Sequence, residues 1–165
     1  MSLVAPRTIT PSEEDVPDVD DGGEKVTAGV FWPEIVLSDA RKEMRITGTV
    51  TTSRLKHVVI EAVGHAADQL DTWRIEQQNA GFASLDTVPA MEINGQSAKV
   101  YRWRRAVYSI ARALLIETFR DVDTTGDAGE KKAAALASQA NDHWRDARWA
   151  ISDIRGEVRN SAEAF

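Results

Sequence analysis

The sequence contains no cysteine, which excludes disulfides, thiolate metal sites and thiol catalysis together. No run approaches the roughly 18 uninterrupted apolar residues that a membrane helix needs. The first residues lack the basic-then-apolar layout of a signal peptide, so a soluble cytoplasmic product is expected. There is no Walker-type phosphate loop, no Rossmann glycine pattern and no His-Glu-x-x-His. These absences remove most of the familiar routes to enzymatic function.

What is present is a chain of 165 residues, 42% of them apolar. That suits one domain with a single core. The formal charge of −6 is unevenly spread. Residues 1–30 hold seven acids (Glu13, Glu14, Asp15, Asp18, Asp20, Asp21, Glu24) against Arg7 and Lys25, a net −5. The remainder holds 19 acids and 18 bases, a net −1. The leading segment is rich in Pro, Asp, Glu, Gly and Thr and shows no period. Such a composition buries too little apolar area to offset its conformational entropy, and a flexible acidic arm is expected over residues 1–30. The apolar cluster Val30-Phe31-Trp32-Pro33 ends it. Pro33 suits the first turn of a helix, and Ser38 is a candidate cap for a short helix to about Ile46.

Three long amphipathic patterns follow. The first opens at the capping residues Thr51, Thr52 and Ser53 and runs to about Asn79. Leu55, Val59, Ala62, Ala66, Leu70 and Trp73 recur at steps of three and four, the α-helical repeat. Gly81 is placed to stop it. A loop through Pro89 leads to the turn signal Asn94-Gly95. The second pattern, about 96–122, carries Val100, Trp103, Val107, Ile110 and Leu114. After the breaker Asp123–Asp127, the third runs from about Ala128 to Arg155. Its stripe is Ala133, Ala137, Ala140, Trp144, Ala147, Ile151 and Ile154. The expected fold is all-α: a small antiparallel bundle of three long helices plus a short N-terminal helix, with an extended acidic N-terminal arm. The expected division is arm 1–30, helical domain 31–156 and C-terminal tail 157–165.

Few residues offer chemistry. His57, Glu61 and His65 share one helix face, but the two histidines sit two turns apart, roughly 12 Å by helical rise. A metal-sharing pair normally sits one turn apart, so a solvated face is expected, with no metal, no cofactor and no catalytic residue. His143 beside Asp142 reads as a polar pair on an exposed turn. The second helix is more distinctive. Lys99, Arg102, Arg104, Arg105 and Arg112 lie within fourteen residues that hold no acid. Lys99, Arg102, Arg105 and Arg112 fall on the side away from the apolar stripe. That row is either a solvated face, a sequence-neutral contact for a phosphate backbone, or a dock for a neighbour's acidic arm. Arg145, Arg148 and the off-stripe Trp149 form a candidate interface, with Arg145 one turn from the indole it can cover. Phe31 and Trp32 form a second candidate anchor.

Several segments carry a family resemblance. They are Phe31-Trp32-Pro33, Ala80-Gly81-Phe82 with Leu85, Val88-Pro89-Ala90, Ile93-Asn94-Gly95, Ser97, and Lys99-Val100. Arg105-Ala106-Val107, Phe119-Arg120, Trp144-Arg145-Asp146-Ala147-Arg148-Trp149-Ala150 and Arg155-Gly156 continue the series. In this order and spacing, over about 31–156, the chain resembles the head completion (gpL-type) family of temperate contractile-tailed phages. The acidic arm and the last residues do not match closely. The resemblance implies a structural virion protein of the head–tail connector, not an enzyme, added after DNA packaging. It implies a ring under the portal, most simply twelve-fold, that retains the genome and allows tail attachment. The implied partners are the portal protein, the next connector or tail component, further copies of the chain, and packaged DNA as a non-specific channel contact, with no membrane. Such a protein is assembled in the bacterial host cytoplasm. Two readings of other classes stand beside it: a DNA-binding packaging subunit, and a metalloenzyme built on His57, Glu61 and His65.

Overall fold

The computed structural model describes residues 21–120 and 127–158. Residues 1–20, 121–126 and 159–165, and with them most of the expected arm and C-terminal tail, lie outside the described residues. The chain is mostly helical. Its α-helices are α1 (Leu37–Glu43), α2 (Thr52–Gln69), α3 (Asp71–Asn79), α4 (Ala98–Arg120) and α5 (Asp127–Arg155). Two small antiparallel sheets accompany them, so all-α is too strict a description. In the first, β1 (Lys25–Val26) pairs with β2 (Ile35–Val36). In the second, β3 (Glu92–Ile93) pairs with β4 (Gln96–Ser97).

The expected turn at Asn94-Gly95 joins β3 to β4. Both residues have positive φ, 51° and 73°, as the tight two-residue hairpin turn requires. Thr51 caps α2 by accepting a hydrogen bond from the Arg54 backbone amide at 3.4 Å. Ser38, by contrast, lies inside α1, whose capping position is Val36 with no side-chain bond.

Two further expectations are corrected. The helix anticipated over 51–79 is two helices that meet at Leu70 (φ −104°, ψ 3°). Periodicity alone did not reveal the break, because the apolar repeat runs through it and Leu70 itself is fully buried. Tertiary contacts hold the break. The Arg155 guanidinium donates to the Gln69 carbonyl, and Trp73 of α3 meets Phe31 edge-on at 6.3 Å.

The second correction concerns residues 21–30, which belong to the folded body and not to the arm. Val26 is buried, and the Leu37 amide donates to the Glu24 carbonyl at 3.0 Å. Asp21 is buried against Arg41, which donates from Nε to Oδ2 at 2.9 Å and from Nη2 to Oδ1 at 2.7 Å. Thr52 Oγ1 donates to the same carboxylate at 2.8 Å. Arg41 Nη1 donates to the Thr47 carbonyl at 3.0 Å. These bonds tie the chain's entry to α1 and to the start of α2, which compensates for a segment poor in apolar residues.

α4 is the centre of the fold and packs along both α2 and α5. Trp103, Val107 and Ile110 on α4 are fully buried, as are Leu55, Val59 and Ala62 on α2. From α5, Ala147, Ala150, Ile151 and Ile154 complete the cluster. Among the described side chains of α5, buried positions begin at Ala140; residues 130–139 are exposed or half-buried.

Candidate functional site

The cations of α4 do not form the free row that a helical wheel suggests. Lys99 Nζ donates to the Ile154 carbonyl at 2.5 Å and lies 5.3 Å from the centre of the Trp73 ring. Burial, with Arg102 beside it, holds this amine below the ordinary lysine value. Arg102 Nη1 donates to the Asp153 carbonyl at 3.3 Å. Both carbonyls belong to the last turn of α5, where helices leave acceptors unpaired and where the dipole favours positive charge. Arg112 donates to the Met44 carbonyl just after α1. Three of the four row members therefore finish helix ends within the same chain. Arg105 projects outward, half-exposed, with Asp146 at 3.8 Å.

Arg104, which the sequence placed off the row, joins Arg105 on one wall of a groove between α4 and α1. Its Nη1 donates to Gln96 Oε1 at 3.2 Å. The groove has a volume of about 420 Å³ and is lined by Tyr101, Tyr108 and Ser109 beside the two arginines, with Asp39, Lys42 and Glu43 opposite. Burial pushes the Tyr108 hydroxyl up to about 12, and Arg104 partly opposes that shift.

Phe31 and Trp32 are not a surface anchor. They are 3% and 6% exposed and pack edge to face with centroids 4.9 Å apart. Trp32 stacks on Trp103 at 4.3 Å with planes 10° apart, and Trp103 Nε1 donates to the Pro33 carbonyl at 3.1 Å. An apolar pair next to a polar segment looks like an anchor in sequence. Here the β1–β2 hairpin folds it back onto α4.

On α5, the expected cation–π pair is present, with the Arg145 guanidinium 5.0 Å from the Trp149 ring centre. Arg145 also bonds Asp142 at 2.9 Å. Arg148 is exposed on the flank of α5, and Trp149 is half-buried on the side opposite Ala147, Ile151 and Ile154. Trp144 packs against the core, as expected, and its Nε1 donates to Glu117 Oε1 at 2.8 Å.

A surface that sequence reasoning missed lies at the N-terminal end of α4. Val30, Met91, Ile93 and Tyr101 are 91%, 74%, 47% and 37% exposed. A groove joins the β1–β2 turn (Val30–Glu34) to Ser84, Asp86 and Gln96, and Gln96 is the strand partner of Ile93. The exposed carboxylates of Asp86 and Glu92, and that of Glu34, which Lys25 Nζ pairs with at 2.8 Å, lie at this apolar end. The one available signal was the set of aliphatic residues flanking the Asn94-Gly95 turn.

His57 and Glu61 are exposed, and His65 tilts against Trp144 with centroids 5.3 Å apart. Among the described residues no group of three or more His, Asp or Glu side chains is placed to hold a metal ion. No described helix is long and apolar enough to cross a membrane. His143 is held below its ordinary value by burial, helped by Arg112 and partly offset by Asp146 and Asp142.

The chain is 37% identical over 129 residues to the head completion/stabilization protein of Escherichia phage P2, an overlap of 78% of this chain and 76% of that one. No solved structure matches it. Residues 26–165 match the family described as phage head completion protein (GPL), and the chain belongs to that family.

Proposed function

We propose that this virion protein completes the head by forming a ring under the portal after DNA packaging, retaining the genome and presenting a surface for tail attachment. Its role is structural and needs no catalytic group. The single observation that carries this reading beyond family membership is the presence of two unlike, chemically complementary surfaces. One is the aliphatic end of Val30, Met91 and Ile93 with its nearby carboxylates. The other is the Arg145, Arg148 and Trp149 face of α5.

A closed ring is built from head-to-tail contacts, in which each subunit offers two different patches to its neighbours. Arginine and tryptophan are the residues most enriched where such contacts carry energy. The twelve-fold number follows the portal's symmetry in this reading. Arg104 and Arg105 are the α4 side chains left to face packaged DNA, because Lys99, Arg102 and Arg112 serve carbonyls of their own chain. Two guanidiniums give a weak, salt-sensitive attraction, which suits a channel contact better than a DNA-binding subunit.

The test is native mass spectrometry of the protein with the portal ring of its own phage. One added copy per portal subunit, with the free protein remaining small, is the expected result. If nothing adds either to portal rings or to DNA-filled tailless heads, the ring reading fails.

A further inference from the structure

The α1–α2 connection and the C-terminal half of α4 enclose a second pocket, of about 220 Å³. Arg45, Arg112, Thr47 and Thr49 form its polar side, and Ile46, Val50, Leu115 and Ile116 its apolar side. We propose that this pocket holds the C-terminal residue of a partner protein, an aliphatic side chain together with its own chain-terminal carboxylate. The inference does not rest on the ring.

The polar side selects an anion. The groove between α1 and α4 sets Asp39 and Glu43 against its arginines. Among the described residues, the lining of this pocket has two guanidiniums and no carboxylate. Arg112 donates one N–H to the Met44 carbonyl, which orients its planar fork and leaves further donors on it. The Thr47 and Thr49 hydroxyls share one hydrogen bond at 2.7 Å, so one of their two protons remains to be donated.

Arg45 is an independent pointer. At the end of α1 the Ile46 amide donates to the Arg41 carbonyl and the Arg45 amide to the Lys42 carbonyl, both at 3.0 Å. In this kind of helix stop the residue at the place of Arg45 is left-handed and usually glycine. Here its φ is 52°. The turn does not need a side chain at this position, since glycine forms it with less strain. Arg45 instead lines the pocket with an exposed cation, and the next residue, Ile46, supplies part of the apolar side.

Size and the apolar side decide the class of anion. The volume of about 220 Å³ falls below the roughly 300–1,000 Å³ of small-molecule sites, so the pocket admits about one residue. Its apolar side is aliphatic throughout and offers no ring on which a base could stack. A phosphate backbone would meet the cations and leave the aliphatic wall uncovered. In a protein, a carboxylate next to an aliphatic side chain on a single residue occurs only at the chain end, which anion-binding sites are known to capture.

N-acetyl-leucine supplies that residue without the rest of a partner, and is titrated into isotope-labelled full-length protein. A ligand of this size reaches about millimolar affinity and saturates its site at about 50 mM. Amide signals of residues 45–50 and 112–116 should shift saturably, while those of α3 stay in place. N-acetyl-leucinamide lacks the charge and inorganic phosphate lacks the side chain, and each should bind about tenfold or more weakly. Arg45→Gly should weaken N-acetyl-leucine binding by a similar factor with Tm level or raised, because glycine relieves the left-handed position. Lost binding in that variant therefore does not report unfolding. The absence of a saturable shift, an equal response to phosphate or to the amide, or undiminished binding by Arg45→Gly overturns the proposal. So does a stronger response of the same amides to a short DNA duplex, because the pocket is then a phosphate-backbone contact.

Discussion

Asp21 and Arg41 face each other through two hydrogen bonds, at 2.9 and 2.7 Å, with side chains 0% and 5% exposed. Thr52 and the Thr47 carbonyl complete the set. Removing one partner of such a pair strands a buried charge, which costs about 3–5 kcal/mol. Arg41→Ala is therefore expected to unfold at markedly lower urea concentration. Replacing both residues by apolar ones of similar volume should recover much of the loss, measured as a double-mutant cycle.

The same pair sets an acid dependence. The Arg41 hydrogen bond holds the Asp21 carboxyl below the usual carboxylate range, although burial opposes this. With the folded value below the unfolded one, the folded state binds fewer protons, and stability rises with pH through that interval. The contribution is complete above about pH 4, the unfolded aspartate value, and is lost as pH falls through the folded value. Urea midpoints of the wild type and Asp21→Asn should therefore differ near neutrality and converge in acid. A difference that stays constant down the titration rules out this source.

Trp32 and Trp103 stack within the core. Truncating either to alanine should cost about 3–5 kcal/mol, seen as a fall in Tm. Phe31→Leu is the informative companion. It keeps an apolar side chain, so it should lower stability modestly and leave binding to portal rings unchanged. Lost binding by a folded Phe31→Leu protein would return this residue to the interface.

Trp149 is expected to behave in the opposite way. Trp149→Ala gives up a cation–π contact of about 0.5–1 kcal/mol and the packing of a half-buried indole, so Tm should fall, but by less than for Trp32 or Trp103. Addition to the portal ring should weaken, and Arg145→Glu with Arg148→Glu should weaken it further. Met91→Asp and Ile93→Asp, at the other proposed surface, should act alike. Unchanged assembly in all of these folded variants would remove both patches from the ring.

Lys99 and Arg102 finish the last turn of α5. Lys99→Ala and Arg102→Ala should each destabilise by about 0.3–1 kcal/mol, up to about 2 kcal/mol where the contact is partly buried. Amide exchange should quicken in residues 151–156 and not at the start of α5. A uniform quickening would mean that the two cations act on the whole fold.

The residues that declared themselves in sequence are those whose structure is settled within a turn or two. The three- and four-residue steps along Val100 to Leu114 and Ala140 to Ile154 fix the inward faces of α4 and α5. Asn94-Gly95 fixes a hairpin turn through its positive φ, and Thr51 caps α2 through its own hydroxyl. Family membership was legible too, and the match of residues 26–165 to the head completion family agrees with that resemblance. Other features depend on partners distant in sequence. Lys99 reaches Ile154, Arg112 reaches Met44, Trp103 reaches Pro33 and Asp21 reaches Arg41. A periodicity states which side of a helix is apolar, but not what stands opposite a charged group on its margin. Only the tertiary arrangement turned a basic row into helix caps, moved Phe31 and Trp32 inside, broke the long helix at Leu70, and left Arg104 and Arg105 facing a groove.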